Sequence, residues 1–512
     1  MGLPKSRRAW GFLVILMLFG MSTSDPVYEQ ANTPSPNRLG VTVGVGPVSR
    51  SCSGVLVSPG DDVQGMIDRH AAGTTFCLAA GIYRLTAALE PKDGDALIGA
   101  RGAVLSGSKV LHGWLKKGRV WSTVGFLPRA AAADDDEHCQ GSVPTCVYTE
   151  DVFFDKKRLN RVNSVSDVTV GSVYADYSTN TITIGDDPKS HSVEQAVAPG
   201  LIKGTVDDVT VANLVLEEAA NEAQVGAVET RQVTPRRSGV GWRIHHNEVH
   251  LNHGVGLGFA DDAVVTANFI HHQGQLGFGA WGAGSVVSNN EISFNGTAGY
   301  SWEWEAGGSK SWQTVHQTIT HNYVHNNWGP GLWADGGNMD TRYEYNKINR
   351  NWAAGIQHEI SYDATIRHNE ISGNGRSHKG WAWDAGIQIQ SSGGTRLIDI
   401  AYNVVENNAN GITLIDSGKR ADEDPAPYGP HVVRNVRVHD NIVTMSAGQS
   451  SGAVEDTDDP LIFTNNNQFE ANTYYLHSLA EPHFAWADAD LNWNQWRARG
   501  QDLNGRAAPW RR

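Results

Sequence analysis

Positive charge and long apolar runs are both scarce in this chain. Lys and Arg number 41 against 55 Asp and Glu, giving a formal net charge of −14. That argues against nucleic acid or an anionic membrane surface as the main partner, because both select basic patches. The one extended apolar run, Trp10 to Phe19, is too short to cross a bilayer comfortably. Cysteine is limited to four residues, and none has the CxxC or Cys/His spacing of a zinc site. The ladder of leucine-rich repeats is missing as well. What is present is a 40% share of hydrophobic residues, enough for a sizeable core and too much for a disordered chain. Glycine is in excess at 56 of 512, and there are 17 Trp, whose flat faces serve both cores and carbohydrate sites.

The N-terminus reads Lys5, Arg7 and Arg8, then the apolar run, then Ser22, Thr23 and Ser24. This is the order of a secretory signal peptide over residues 1–24, which predicts a secreted, extracellular protein with no stable membrane insertion after cleavage. Residues 25–47, with Pro26, Pro34, Pro36 and Pro47, read as a flexible lead-in. In an oxidising compartment the even count of Cys52, Cys77, Cys139 and Cys146 suggests two disulfides. Cys52–Cys77 and Cys139–Cys146 are the simplest pairing, with two other connectivities open.

One signature recurs through the second half: Asn, any residue, an aliphatic or aromatic residue, a short polar stretch, then Gly and a large apolar residue. It runs from Asn247-Glu-Val with Gly256-Leu257 to Asn403-Val-Val with Gly411-Ile412, and Asn441-Ile-Val closes it less cleanly. Uninterrupted repeats such as Asn247 to Asn268 and Asn322 to Asn346 are 21 to 24 residues long. Helix pairs need longer repeats and tolerate Gly poorly. The pattern fits one coil of a parallel β-helix, three short strands and three turns, each coil stacked about 4.8 Å above the last. The Asn column reads as structural, tolerating left-handed φ at a turn and forming an amide ladder inside.

Here the chain resembles the right-handed parallel β-helix proteins of the pectate-lyase-like superfamily, in their exported, carbohydrate-active form. Val63, Met66, Ile67 and His70 mark a one-sided helix capped by Asp61 or Asp62, similar to the helix that closes the open end of such solenoids. Trp493-Asn-Gln-Trp496 and Gly500 to Gly505 are similar to their C-terminal segment. The resemblance implies an all-β fold, a single-stranded right-handed parallel β-helix solenoid with an N-terminal capping helix and a β-hairpin-rich insertion. The expected order is cap and first coils over 48–125, disulfide loop and hairpin insertion over 126–205, repeats over 206–470 and a C-terminal cap over 471–512. The superfamily includes hydrolases, lyases, epimerases and non-catalytic fibres, so activity must be read from side chains.

Aligning the repeats on Gly and its large neighbour points Leu257, Phe278, Tyr300, Leu332, Ile356, Ile387 and Ile412 inward. The second and fourth residues after each Gly then point outward, and the fourth stacks Glu303, Asp335 and Glu359 in one column, neighbours about 5 Å apart. Stacked like charges are destabilising unless they meet a substrate, proton or cation. Asp335 and Glu359 are the expected central catalytic pair and Glu303 the third member, with Glu305 its alternate. Trp333, Gln357, Gln388 and Gln390 flank them as sugar-binding groups, and Lys310 is placed to bind an anionic group or act as a base. Insertions near 303–313, 374–384 and 416–431 would form cleft walls carrying Trp312, Trp381 and Trp383. The many His residues read as turn or surface groups rather than a ligand column, and His358 as a core histidine.

The first function this implies is a glycoside hydrolase, monomeric and cofactor-free, acting on a polysaccharide through paired carboxylates. The second is a polysaccharide lyase or uronate epimerase, in which the carboxylates could hold Ca²⁺. The third is a non-catalytic glycan-binding rod.

Overall fold

Each Asn repeat folds as one coil of a solenoid. The computed structural model describes residues 46–48, 51–128, 138–140, 145–377, 380–417, 427–455, 460–487 and 489–510. The expected signal peptide, nearly all of the lead-in and the acidic run Asp134 to Glu137 lie outside them. A typical coil consists of strands Thr341–Glu344, Lys347–Asn349 and Ile356–Glu359. Stacking coil on coil builds three parallel sheets, which we call first, second and third in the order a coil visits them. Among the described residues they contain 13, 13 and 12 strands.

Alternation along each short strand fills the interior. In the first sheet Val265, Val287, Ile319, Tyr343, Ile366 and Ile400 stand in one paired column. The second sheet answers with Ile270, Ile292, Val324, Ile348 and Ile371, all sealed from solvent. Each such side chain contributes about 1.5–3 kcal/mol on burial, and the same contact recurs in every coil.

The corner between the first and second sheets differs in one detail from the sequence expectation. The left-handed residue is the one before the Asn: His246, Ala267, Asn289, His321, Tyr345 and His368 have φ of 54–57°. That residue turns the chain and points outward, which leaves the Asn free to face in. Asn346 Oδ1 accepts from both the backbone N and the Nδ2 of Asn322, each at 3.0 Å, and Asn346 Nδ2 donates to Ile319 O at 2.8 Å. The ladder runs from Asn247 to Asn472 and ends on Asp502. A parallel ladder at the next corner runs from Asn252 through Gln273, Asn295, Asn327, Asn351 and Asn374 to Asn408. Outside the first corner, His321, Tyr345, His368 and Tyr402 stack with centroids 4.9–5.3 Å apart, so these histidines serve the turns.

At the N-terminal end, helix Val63–Arg69 is capped by Asp62, which accepts from Gly65 N at 2.9 Å, and buries Val63 and Ile67. Cys52–Cys77 ties the segment before it to the first coil, and Cys139–Cys146 forms as well. Two small sheets, mostly antiparallel, lie on the early coils, drawn from residues 108–124 and 152–196 around Val152, Val173, Ile182 and Ile184. At the other end, helix Trp493–Ala498 begins with an Asn492/Gln495 capping box and buries Trp496 over the last coil. Among the described residues no helix is long and apolar enough to cross a membrane.

Candidate active site

The outward face of the third sheet carries the candidate residues. Strands Leu332–Asp335, Ile356–Glu359 and Ala385–Gln390 pair in register, so Trp333, Gln357 and Gln388 form one column and Asp335, Glu359 and Gln390 the next. Glu303 is not part of that ladder. In its coil the strand is Gly307–Val315, and Ser309, not Tyr300, pairs with Phe278. The register expected from Gly299-Tyr300 fails because this coil has an insertion at 300–306 and then places small polar Ser309 and Ser311 inward, each 1% exposed. A rule that seeks a large apolar residue after Gly therefore selects the wrong one of two glycine sites.

The insertion nevertheless returns Glu303 to the same place. Trp302 and Glu303 from this turn, Trp333, Gln357 and Glu359 from the strands, and Trp383 and Asp384 from the next coil's insertion line one cavity, closed off by Gln388 and Gln390. The space within it and at its mouth, open solvent included, is about 370 Å³. Glu359 is 2% exposed and fixed by three donors. Trp333 Nε1 and Gln357 Nε2 donate to its Oε2 at 3.0 and 2.7 Å, and Gln390 Nε2 donates to Oε1 at 2.8 Å. The row continues: Gln388 Nε2 donates to Gln390 Oε1 at 3.1 Å, and Asp384 N donates to Gln388 Oε1 at 2.9 Å. The two glutamines thus act as positioning groups for the carboxylate.

Asp384 escaped the sequence reading because it is in an insertion rather than on a strand. Its only signal there was proximity to Trp383 just before the Gly386-Ile387 repeat mark. It is 3% exposed, accepts from Ser377 Oγ, and has φ +59°, with Ala382 at +63°. Trp381, expected on the wall, is half exposed and outside the lining, and most of 416–431 lies beyond the described residues. His358 is fully buried, hydrogen-bonded to Tyr362 O at 2.6 Å, and burial lowers its pKa to about 4, so it stays neutral in the core.

Lys310 stands on the strand in the Trp333 column, beside the carboxylate column as expected; it is paired with Gly279 and its ammonium lies 4.2 Å over the Trp333 ring. Its ammonium is 2.8 Å from Asp335 Oδ2 and 3.1 Å from both Glu305 Oε1 and Trp304 O. Burial opposes the charge, yet Asp335 and then Glu305 outweigh it and hold the pKa above the ordinary lysine value. The group is a locked cation, unsuited to the role of base, and its anion partners are already in place. Asp335 therefore faces away from Glu359's cavity into a second, larger one with Lys310, Glu305 and Trp312.

The Cys139–Cys146 segment buttresses the Glu303 turn. Gln140 N donates to Gly299 O at 2.7 Å, Ser301 N to His138 O at 2.9 Å, and the His138 ring is 3.8 Å from that of Trp304. Among the described residues no group of three His, Cys, Asp or Glu side chains is arranged to hold a metal.

Three stacked parallel sheets, two amide-laddered corners and capped ends define a right-handed parallel β-helix protein. A family model described as "Right handed beta helix region" matches residues 236–399. The structure described as the complex of XylC with xylose is similar at a TM-score of 0.53 and 16% identity, over 78% of this chain and 83% of that one. The A-module of the Azotobacter vinelandii mannuronan C-5 epimerase AlgE6 reaches 0.49 at 15%, over 88% and 95%. The catalytic unit of the GH87 α-1,3-glucanase of Streptomyces thermodiastaticus reaches 0.42 at 12%, over 91% and 70%. At these identities the likeness is one of fold. No curated protein matches the chain by sequence.

Proposed function

We propose that this protein is an exported carbohydrate-active enzyme that hydrolyses glycosidic bonds in the Glu359 cavity. The observation that carries this reading is the lining itself: carboxyls of Glu303, Glu359 and Asp384 share one cavity with the indoles of Trp302, Trp333 and Trp383. Indole faces bind sugar rings, and a pair of carboxyls is the minimum for glycoside hydrolysis. One protonates the leaving oxygen, and the other attacks the anomeric carbon or takes a proton from the attacking water. Glu359, with three N–H donors aimed at it, is complementary to a fixed carboxylate in the second role. Glu303 or Asp384 supplies the acid. Asp335 is ion-paired with Lys310, whose charge is also felt by Glu359. Two disulfides fit an oxidising, extracellular setting.

A lyase or epimerase reading receives less support. Uronate chemistry needs a cation to neutralise the sugar carboxylate and a base for the α-proton, and among the described residues lining this cavity there is no Lys, Arg or His. The test is a polysaccharide panel with product masses. Hydrolysis yields products carrying the elements of water, and Glu359→Gln should lower turnover by at least about 10³-fold with an unchanged circular dichroism spectrum. Unsaturated products absorbing in the ultraviolet, or turnover that survives Glu359→Gln, would overturn the proposal.

A further inference from the structure

We infer that the second cavity on the third sheet is a subsite for a sugar unit bearing an acidic group, and that Arg236 recognises that group. Its place in catalysis rests on the hydrolase reading, because the cavity adjoins the one around Glu359. Asp335 in its lining pairs in register with Glu359, and the Lys310 ammonium lies over the Trp333 ring of the first cavity. The ligand class rests on the second cavity's own chemistry. Its volume is about 570 Å³, within the range of small-ligand sites. Val225, Val233, Val255 and Leu276 supply apolar surface, and Trp281 and Trp312 add two indoles with centroids 6.3 Å apart. Such walls suit the C–H faces of a sugar ring.

The cations around this cavity are of two kinds. Arg231 is matched by Glu229, through bonds of 2.7 and 2.8 Å. Lys310 is matched by Asp335 and Glu305, at 2.8 and 3.1 Å. Arg236, exposed on the hairpin of strands Arg231–Gln232 and Arg237–Ser238, is held differently. Its guanidinium lies 4.9 and 5.3 Å from the Trp281 and Trp312 ring centroids, and its Nη1 donates to Gln313 Oε1 at 2.6 Å. Among the described residues no carboxylate is within ion-pair distance of it. Two rings and a neutral amide thus fix a full positive charge at the rim, with four of its five N–H groups uncommitted. The free Nε–Nη2 edge is a fork that fits a carboxylate or a sulfate through two parallel bonds.

The lining sets where the acidic group can go. Its carboxylates, Glu229, Glu305 and Asp335, outnumber its cations, Arg231 and Lys310, by one charge. An anion is therefore repelled at depth and attracted at the rim, where Arg236 stands. Lys310 engages Asp335 Oδ2 and Glu305 Oε1, which leaves Oδ1 and Oε2 to accept from hydroxyl groups. A sugar ring with its hydroxyls toward these oxygens and its acidic group at Arg236 satisfies both ends. Asp261, beside the hairpin's Ser238, accepts from Ser238 Oγ and Ala283 N and forms no ion pair with Arg236.

Affinity electrophoresis in native gels tests this without turnover, using Glu359→Gln protein. Glucuronoxylan, polygalacturonate and alginate offer carboxylates, and dextran sulfate offers sulfate esters. Carboxyl-reduced forms of the first three, and plain dextran, are the neutral controls. The net charge of −14 works against unspecific retardation by polyanions. At least one acidic polymer should retard the protein, about 10-fold more strongly than its neutral form. Arg236→Gln should weaken that retardation about 5–10-fold at an unchanged melting temperature, and Arg236→Lys should restore only part of it, since an ammonium lacks the fork. Arg236-dependent retardation by dextran sulfate alone names a sulfate ester as the group, and by a carboxylate polymer a carboxyl. Retardation by no acidic polymer, equal retardation by the neutral forms, or no loss in Arg236→Gln overturns the inference and leaves Arg236 a cover for the indoles. Arg236-dependent binding without cleavage by the wild-type protein sinks the hydrolase reading and not this one. Cleavage with Arg236-independent binding has the opposite meaning.

Discussion

Replacing Asn346 with Ala removes four hydrogen bonds from the middle of the inner ladder. Asn346 is 0% exposed. Its Nδ2 donates to Ile319 O at 2.8 Å and Asn369 Oδ1 at 3.1 Å, and its Oδ1 accepts from Asn322 N and Nδ2, each at 3.0 Å. Asn369 Oδ1 keeps the backbone N–H of residue 346 at 2.9 Å. The Asn322 backbone N–H is stranded outright, one Asn322 amide hydrogen loses its acceptor, and Ile319 O loses its side-chain donor. Each buried orphan costs about 1–3 kcal/mol, so a loss of about 3–6 kcal/mol is expected. Position supplies an internal control. At the ladder's start Asn247 Oδ1 accepts from Leu214 N at 3.0 Å and, among the described residues, from no second amide of an earlier rung, while its Nδ2 donates to Val211 O at 2.9 Å, so Asn247→Ala orphans two groups rather than three and should cost roughly two-thirds as much. Guanidinium unfolding followed by circular dichroism and tryptophan fluorescence measures both, with the slope checked because a solenoid need not unfold in one step. A loss below about 1 kcal/mol for Asn346→Ala, or equal losses at the two sites, would refute the view that the buried amides hold successive coils in register.

Three further expectations follow from the charges and cross-links. Ser108 Oγ lies 2.6 Å from both Glu194 Oε2 and Glu218 Oε2, and a single hydroxyl proton can serve only one of them, so a carboxyl must carry the other proton. Burial, then the charge of Glu217, push the Glu218 pKa up to about 7 from 4.5. The folded chain therefore holds a proton the unfolded chain has released, and Glu218's contribution to stability should fall as pH rises from about 5 to 8, by up to about 3 kcal/mol. Melting temperatures across that range should flatten in Glu218→Gln; an unaltered slope would sink the assignment. Lys310→Met leaves Asp335 and Glu305 without their cation and should cost about 3–5 kcal/mol, part of which Asp335→Asn restores in the double variant; strict additivity in the denaturation cycle would deny the coupling. Serine at both Cys139 and Cys146 opens a loop of sequence separation 7, worth about 2 kcal/mol on loop entropy. It should lower kcat/KM through the Glu303 turn while the solenoid keeps its cooperative unfolding, and unchanged turnover would show that the turn stands without its brace.

The solenoid was readable from sequence because its causes are local and repeated. An inward aliphatic, a left-handed corner and a buried Asn must recur every coil, so the period is written into the chain many times over. The same reading misplaced the left-handed position by one residue, since spacing alone does not say which of two adjacent turn residues faces in. Asp335 and Glu359 were placed as strand neighbours because both belong to uninterrupted repeats.

What the repeats could not reveal lies where the chain leaves them. Glu303 reaches the cavity through a turn braced by residues some 160 positions earlier, and Asp384 through an insertion that obeys no period. The sheet register separates Asp335 and Glu359 by one strand, but only the side-chain packing shows that Lys310 claims the first and three N–H donors claim the second. Periodic backbone hydrogen bonding is a property of neighbouring residues and stays visible in their order. A carboxylate's role depends on which charges and donors lie within a few ångströms, and that is decided when distant segments are folded against one another.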